Sequence, residues 1–229
     1  MTLILIPGHL CDGRLYAPQL DAFPDAVVAD VTRDDDLGAM AGRLLAEAPE
    51  RFDIAGLSMG GMVAMEVMAR APERVRSATL MATDPTQARD IETDWRAERQ
   101  EEVREHGLGR FTTAFARMFF AHDTEVAERL MPQVEEMQDA ADADLYHRQC
   151  RALDTRRDML GPLEGCAIPT EILVGTEDRI CPPKLHDRLA AVLTNATLTK
   201  IEGCGHLLTL ERPEVATDAL RRATSRPAA

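Results

Sequence analysis

The chain has 229 residues, 45% of them apolar, which is enough to bury a full core and fits a single α/β domain. Its 39 acidic residues outnumber its 26 lysines and arginines, and the net charge of −13 argues against nucleic acid and anionic membranes as partners. Five cysteines without C-x-x-C spacing argue against a disulfide framework and a structural metal site, and they fit reduced thiols in the cytoplasm.

The first predicted element is a buried strand over residues 3–7. No basic segment precedes it, and a proline follows after four apolar residues, so we expect neither a signal peptide nor a membrane span. The loop after this strand reads Pro7-Gly-His-Leu-Cys-Asp, and its glycine allows close approach of the backbone to a ligand.

Short β-rich runs then alternate with segments of helical period. Apolar residues that recur at intervals of three and four predict helices over 37–45, 62–68, 185–192 and 215–220. Most of the β-rich runs are apolar on both faces, which is typical of strands covered on both sides, and they lie at 26–31, 52–56, 77–82, 170–175 and 197–201. The alternation predicts an α/β fold with a doubly wound, mostly parallel sheet.

The third predicted strand leads into the pentapeptide Gly56-Leu-Ser-Met-Gly60 and then a helix. In this G-x-S-x-G context the serine lies on a tight strand-to-helix turn that exposes its hydroxyl at the carboxyl edge of the sheet. Side chains at positions 56 and 60 would collide in such a turn, and Gly61 lets the helix approach the sheet. We predict that Ser58 is a nucleophile for acyl transfer, with a helix N-cap as the alternative role.

Two backbone N–H groups are expected to stabilise an oxyanion beside Ser58. One is that of Met59, at the N-terminus of the helix. The other is expected from the loop after the first strand, where we assign it to His9 and keep Leu10 as the alternative. Contact of the His9 imidazole with substrate is a further possible role.

The link between the strands at 77–82 and 170–175 is far longer than the usual about two to six residues. Apolar stripes at helical spacing predict that residues 86–160 form a helical cap, between core segments 1–85 and 161–229. The many charges of this insertion are interpreted as solvated helix faces. The stripes are either core packing or pocket wall, and they comprise Leu108, Phe111, Phe115, Met118 and Phe119, then Val126, Leu130, Val134 and Met137. Candidate pocket residues are Leu10, Trp95, Phe115, Phe119 and Phe120.

Asp178 follows the strand at 170–175, and two prolines then open the next helix. A carboxylate at this strand end can orient a histidine and stabilise its imidazolium form. We predict that role for Asp178, with Asp84 as the alternative acid and helix capping as the alternative role of Asp178.

His206 follows the last strand in the glycine loop Ile-Glu-Gly-Cys-Gly-His. A histidine there reaches the same sheet edge as Ser58 and has the near-neutral pKa that a general base needs. The remaining helical histidines are expected to be solvated, and they are His106, His122, His147 and His186. The chain order Ser58, Asp178, His206 is the order that accompanies a G-x-S-x-G turn.

These three motifs together resemble the α/β-hydrolase superfamily, in particular its small capped esterases and enol-lactonase-like enzymes. Residues 3–83 and 165–222 are similar to the family's core, although Pro7-Gly8 stands where the family usually has His-Gly. The chain starts at what is similar to the family's third strand, which implies about six strands. The resemblance implies a Ser58-His206-Asp178 triad, oxyanion amides of Met59 and His9, a cap, and no cofactor or metal.

The leading hypothesis for function is hydrolysis of small carboxylic esters by a serine esterase. The same scaffold also supports lactone opening, C–C bond cleavage and perhydrolysis, so these reactions are the second hypothesis. A ligand-binding protein without catalysis is the third.

Overall fold

The computed structural model describes residues 2–109, 117–121 and 124–225. At its centre is a sheet of six parallel strands in the order β2-β1-β3-β4-β5-β6, which confirms the predicted fold class. The strands are β1 (Leu3–Ile6), β2 (Val27–Val28), β3 (Phe52–Leu57), β4 (Val75–Met81), β5 (Thr170–Gly175) and β6 (Ala196–Ile201).

The strand β2 is much shorter than the predicted run over residues 26–31. It lies at the edge of the sheet and pairs only with β1, through Ile4 and Leu5. Val27 is 51% exposed, so this strand is not buried on both faces as the sequence predicts. An edge position with one neighbour explains why apolar residues alone overestimate its length.

Helices follow the strands and cover both faces of the sheet. They are α1 (Ala17–Ala22), α2 (Leu37–Glu47), α3 (Met59–Arg70), α4 (Asp90–His106), α5 (Thr124–Asp139), α6 (Ala143–Asp154), α7 (Pro183–Val192), α8 (Leu208–Glu211) and α9 (Pro213–Ser225). The predicted helices over 37–45, 62–68, 185–192 and 215–220 fall within α2, α3, α7 and α9.

Two hydrophobic clusters lie on opposite faces of the sheet, because successive strand residues point to opposite sides. Ile4 and Ile6 of β1 belong to the cluster under α2, α3 and α7. Leu3 and Leu5 belong to the cluster under α9. This arrangement is the doubly wound packing predicted from the sequence.

The segment between β4 and β5 carries α4, α5 and α6. The predicted stripe on α5 contributes Leu130, Val134 and Met137 to the cluster that contains Leu3 and Leu5 of the sheet. These side chains therefore pack on the core rather than only on other inserted helices. The predicted stripe residues Phe111 and Phe115 lie outside the described part of the chain. The division into core and cap stays a prediction.

Candidate active site

The candidate site lies at the carboxyl ends of the strands, where the strand order reverses between β1 and β3. Such a point opens a crevice in a doubly wound sheet. Ser58 follows β3 and the loop with His9 follows β1, while Asp178 follows β5 and His206 follows β6. The four residues thus reach the same edge of the sheet.

Ser58 lies between β3 and α3 with φ 57° and ψ −118°. Residues other than glycine avoid positive φ, so the turn holds this serine in a strained conformation of the kind found at functional sites. Its N–H donates to the carbonyl of Met81 at 2.9 Å, and its carbonyl accepts from the N–H of Gly61 at 2.9 Å. The backbone of Ser58 is therefore fixed by both a strand and a helix.

Glycines around Ser58 bring α3 close to the sheet. A Cβ atom on Gly56 would meet the carbonyl of Gly60, and one on Gly60 would meet the carbonyl of Ile6 in β1. A Cβ atom on Gly61 would lie 2.6 Å from the side chain of Thr83. A side chain at any of these positions would push the helix away from the strands.

Thr83 and His186 support the turn from beneath. The Thr83 hydroxyl donates to the Ser58 carbonyl at 2.8 Å, and the Thr83 N–H donates to Nε2 of His186 at 2.9 Å. Burial lowers the pKa of His186 from 6.5 to about 4, so a neutral imidazole accepts this hydrogen bond at neutral pH.

The expectation that His186 is solvated is wrong. It is fully buried, and together with Leu189 it forms the inward side of α7, while its polar neighbours on that helix face solvent. His106 is exposed as expected, and His147 is partly buried beside Gln100. His122 lies outside the described residues.

Asp178 and His206 form a buried pair. Oδ2 of Asp178 lies 2.8 Å from Nδ1 of His206, and both side chains are at most 3% exposed. The second carboxylate oxygen accepts from the N–H groups of Ile180 and Cys181 at 2.9 and 2.8 Å. Burial alone would raise the pKa of Asp178, but the charge and hydrogen bond of His206 and the two N–H groups bring it below its ordinary value. The carboxylate is thus ionised and aimed at the imidazole.

Asp84, the alternative acid, is engaged elsewhere. One of its carboxylate oxygens accepts from the N–H of Thr86 at 2.8 Å, and the other lies 3.2 Å from the guanidinium of Arg156. The carboxylate that bonds Nδ1 of His206 is therefore that of Asp178 rather than that of Asp84.

Glu211 organises the histidine loop, a role that no motif in the sequence indicates. Its buried carboxylate accepts from the N–H groups of Gly205, Leu207 and Ala121 at 2.9, 3.2 and 3.3 Å. Burial raises the pKa of Glu211 despite these hydrogen bonds. Because two of these N–H groups belong to Gly205 and Leu207, on either side of His206, the carboxylate fixes the loop on both sides of the imidazole.

A cavity of about 370 Å³ opens between this edge of the sheet and the inserted helices, a volume suited to a small molecule. Both Ser58 and His206 line it. No hydrogen bond joins the Ser58 and His206 side chains among the described contacts. Hydrogen bonds between catalytic groups often tighten only when substrate binds. The other lining residues are His9, Met62, Asp84, Ile91, Glu92, Trp95, Arg96, Met118, Phe119, Tyr146, Cys150, Leu153, Arg156, Arg179, Ile180 and Cys181.

The predicted pocket residues fall into three groups. Trp95 and Phe119 line the cavity, and the Phe119 ring also stacks on the His206 ring with centroids 5.8 Å apart. Leu10 and Phe120 are not among the lining residues but are buried in hydrophobic clusters, and Leu10 packs in its cluster with Tyr146 and Cys150, which do line the cavity. Phe115 lies outside the described residues.

The loop after β1 distinguishes between its two candidate oxyanion donors. The N–H of Leu10 donates to Oε1 of Gln149 at 2.8 Å, so it is already engaged. Gln149 is itself held by a hydrogen bond from its Nε2 to the carbonyl of Val31 at 3.2 Å. This arrangement favours His9 over Leu10. Met59, whose N–H is the other candidate, is the first residue of α3.

The charges of the inserted segment are not all on solvated faces, contrary to our interpretation of the sequence. Arg96, Arg156 and Glu92 line the cavity, and both arginines are only 7% exposed. Arg156 bridges Asp84 and Glu92, with N–O distances of 3.2 and 2.6 Å. A neighbouring acid compensates each buried arginine, which is how buried charges are normally tolerated.

In the described ranges, no group of three or more His, Cys, Asp or Glu side chains is placed to hold a metal ion. Nor is any helix within those ranges long and apolar enough to cross a membrane.

Comparison with known proteins finds curated relatives of this chain. The chain is similar to the pimeloyl-[acyl-carrier protein] methyl ester esterase of Aromatoleum aromaticum, with 26% identity over 202 residues that span 80% of this chain and 77% of that protein. It is similar to the protein of the same name from Pectobacterium carotovorum subsp. carotovorum, with 29% identity over 197 residues that span 80% of this chain and 73% of the relative.

Solved structures share the fold. An enol-lactonase from Burkholderia xenovorans LB400 superposes with a TM-score of 0.85 at 20% identity, over 98% of this chain and 91% of that one. An esterase from Thermogutta terrifontis superposes with a TM-score of 0.82 at 22% identity, over 97% and 88% of the two chains. A sequence model of the alpha/beta hydrolase family matches residues 3–219. The chain therefore belongs to the alpha/beta hydrolase family.

Proposed function

We propose that this protein is a serine hydrolase that cleaves small carboxylic esters through an acyl-enzyme on Ser58. The observation that carries the proposal is that Ser58 shares a cavity wall with His206, whose other ring nitrogen is 2.8 Å from the buried carboxylate of Asp178. A hydroxyl, an imidazole and an orienting carboxylate are the groups that acyl transfer needs. The curated relatives, which are named as esterases, support the same reaction class.

In the proposed mechanism, Oγ of Ser58 attacks the ester carbonyl carbon while Nε2 of His206 accepts the hydroxyl proton. The N–H groups of Met59 and His9 stabilise the resulting oxyanion. His206 then passes the proton to the leaving alcohol, and the acyl group stays on Ser58. A water molecule, deprotonated by His206, attacks the acyl carbon and releases a carboxylic acid together with the restored serine. Asp178 holds the required imidazole tautomer and stabilises its charged form.

The size and lining of the cavity support a small substrate. A volume of about 370 Å³ lies near the lower end of small-molecule sites, which start at about 300 Å³. Ile91, Trp95 and Met118 line it and are exposed at 73%, 39% and 45%, so they offer an apolar surface for the acyl or alcohol group. In this proposal, residues 86–160 form the cap, and residues 1–85 and 161–229 form the core that carries the triad.

The five cysteines are all unpaired thiols, and we infer that the protein works in a reducing compartment such as the cytoplasm. Burial raises the pKa of Cys11 to about 12 and that of Cys150 to about 11, so these two thiols resist oxidation.

The proposal is tested by hydrolysis of p-nitrophenyl butyrate by wild type and Ser58→Ala. We expect a burst of p-nitrophenol equal to the enzyme concentration if deacylation is slow, and a loss of at least about three decades in kcat for Ser58→Ala. Ser225→Ala, at an exposed position near the end of α9, is the matched control and should keep full activity. Activity retained in Ser58→Ala would exclude the acyl-enzyme. Turnover of lactones or peracid formation without ester hydrolysis would favour the second hypothesis.

A further inference from the structure

One cation in the cavity has an unused donor. Arg96 on α4 lines the cavity and is only 7% exposed. Its Nε lies 2.6 Å from Oδ1 of Asp154, but its Nη2 is buried and has no hydrogen-bond partner among the described residues. A buried guanidinium N–H without an acceptor is costly, and because Arg96 lines the cavity a bound ligand can supply that acceptor.

A second unsatisfied polar atom belongs to His9. Its Nε2 is also buried and without a partner in the described part of the chain, and His9 lines the same cavity. Burial, and then the charge of Arg96, lowers the pKa of His9 from 6.5 to about 4. Near neutral pH the imidazole is therefore uncharged and can donate one N–H.

The charges around these two atoms favour an anion. Two acids line the cavity wall, Asp84 and Glu92, and both are paired with Arg156. Asp154 is bonded to the Nε of Arg96, and 27% of its side chain is exposed to solvent, which screens its charge. The unpartnered Nη2 and the His9 imidazole together offer donors, and no carboxylate of the described residues is a partner of either atom.

Ser58 lines the same cavity as this pair, and the loop that carries His9 packs against the Ser58 turn. His9 follows Gly8, and a Cβ atom on Gly8 would lie 3.5 Å from the Cβ of Ser58. An anion held by His9 and Arg96 would lie in the same cavity of about 370 Å³ as the ester carbonyl at Ser58, which leaves room for only a short chain of atoms between them.

We infer that Arg96, together with His9 of the same cavity wall, binds a carboxylate of the substrate, so that the preferred esters are half-esters of short dicarboxylic acids. The inference rests on the proposed esterase function and narrows its substrate class. A carboxylate can accept hydrogen bonds from both donors at once, and it places a negative charge next to Nη2 of the guanidinium, which has no acceptor there. A neutral ester would leave both atoms unsatisfied in the bound state, which disfavours it.

The test compares monomethyl glutarate with methyl 5-methylhexanoate, a neutral ester of similar shape, by methanol release at constant ionic strength. Wild type should show a kcat/KM at least about 10-fold higher for the half-ester. Arg96→Gln should lower kcat/KM for the half-ester by about 10- to 100-fold and that for the neutral ester by less than about 3-fold. Arg104→Gln, an exposed position on the same helix, removes the same charge and should leave both values unchanged.

A binding measurement keeps the test independent of folding in the variants. The glutarate dianion should inhibit wild type competitively and raise its Tm, with sodium chloride of equal ionic strength as the control. Equal or better turnover of the neutral ester by wild type, together with no inhibition by glutarate, would overturn the inference. If p-nitrophenyl butyrate is still hydrolysed through Ser58 in that case, the proposed esterase function stands and only the carboxylate site fails.

Discussion

The N–H of Leu10 donates to the side-chain oxygen of Gln149, 139 residues further along the chain, at 2.8 Å. This hydrogen bond joins the loop after β1 to helix α6 of the inserted segment. It holds the backbone next to His9, whose N–H is the proposed donor to an oxyanion at Ser58. A side chain of the inserted helices therefore holds a loop at the sheet edge that carries Ser58.

Replacing Gln149 should consequently affect catalysis. In Gln149→Leu the Leu10 N–H loses its acceptor, and we expect kcat to fall about 10-fold and the free energy of unfolding to fall by about 1–3 kcal/mol. Steady-state kinetics with p-nitrophenyl butyrate and urea unfolding measure the two effects. Gln133→Leu is the control, since Gln133 on α5 donates to the Arg14 carbonyl and neither residue is among those that line the cavity. A stability loss without any change in kcat would contradict the assigned role of this hydrogen bond.

Replacement of the two candidate acids, Asp178 and Asp84, should lower kcat to very different extents. Asp178→Asn leaves the shape of the His206 partner but favours the wrong imidazole tautomer, so we expect kcat to fall by about 10⁴-fold, as in other triads. Asp84→Asn weakens the pairing with Arg156 and should cost less than about 10-fold in kcat. The measurement is kcat for both variants after their melting temperatures show that they are folded. Larger loss from Asp84→Asn would transfer the orienting role to Asp84.

Glu211 should position the histidine without touching substrate. The amide of Glu211→Gln presents an N–H group towards the three backbone donors that the carboxylate accepts from, so the His206 loop should loosen. We expect kcat to fall about 10- to 100-fold with little change in KM, which separates loss of positioning from loss of binding. Glu214→Gln, at an exposed position in the first turn of α9, should behave like wild type. A change in KM alone would contradict the positioning role.

The buried histidine beneath the serine turn should make stability depend on pH. The pKa of His186 is about 4 in the folded chain and 6.5 when unfolded, so its contribution is complete above pH 6.5 and is lost as the pH falls towards 4. The loss should be about 3 kcal/mol for this group. His186→Gln keeps an acceptor for the Thr83 N–H but does not titrate, so urea unfolding between pH 7 and pH 4 should show a smaller decrease for the variant. Parallel curves for the two proteins would show that the pKa of His186 is not lowered in the folded state, and would contradict this prediction.

The parts of the fold that a local pattern determines could be predicted from the sequence. The strand over residues 170–175 was predicted with its observed ends because it is buried along its whole length and bounded by a proline and a glycine loop. The turn at Ser58 was predictable because its geometry restricts the neighbouring residue types to glycine. In contrast, the length of β2 is overestimated, because a run of apolar residues does not indicate that the strand lies at the edge of the sheet.

The residues that the sequence missed are those whose environment depends on distant segments. His186 lies among polar residues of α7, and only its position against Thr83, 103 residues away, makes it buried. Arg96 belongs to a highly charged helix, so its sequence neighbours indicate solvent exposure. The side of α4 that faces the cavity is set by packing of α4 against α6, which no periodicity in the charged residues indicated.

The central claim is that the Ser58 hydroxyl is the nucleophile and that His206 activates it. The most direct measurement is reaction with a p-nitrophenyl phosphonate, followed by mass spectrometry of the intact protein and its peptides. We predict one phosphonyl group per chain, located on Ser58, with labelling lost in Ser58→Ala and slowed by at least about 10³-fold in His206→Gln. A protein that hydrolyses esters but carries no label, or a label at another residue, would contradict the claim.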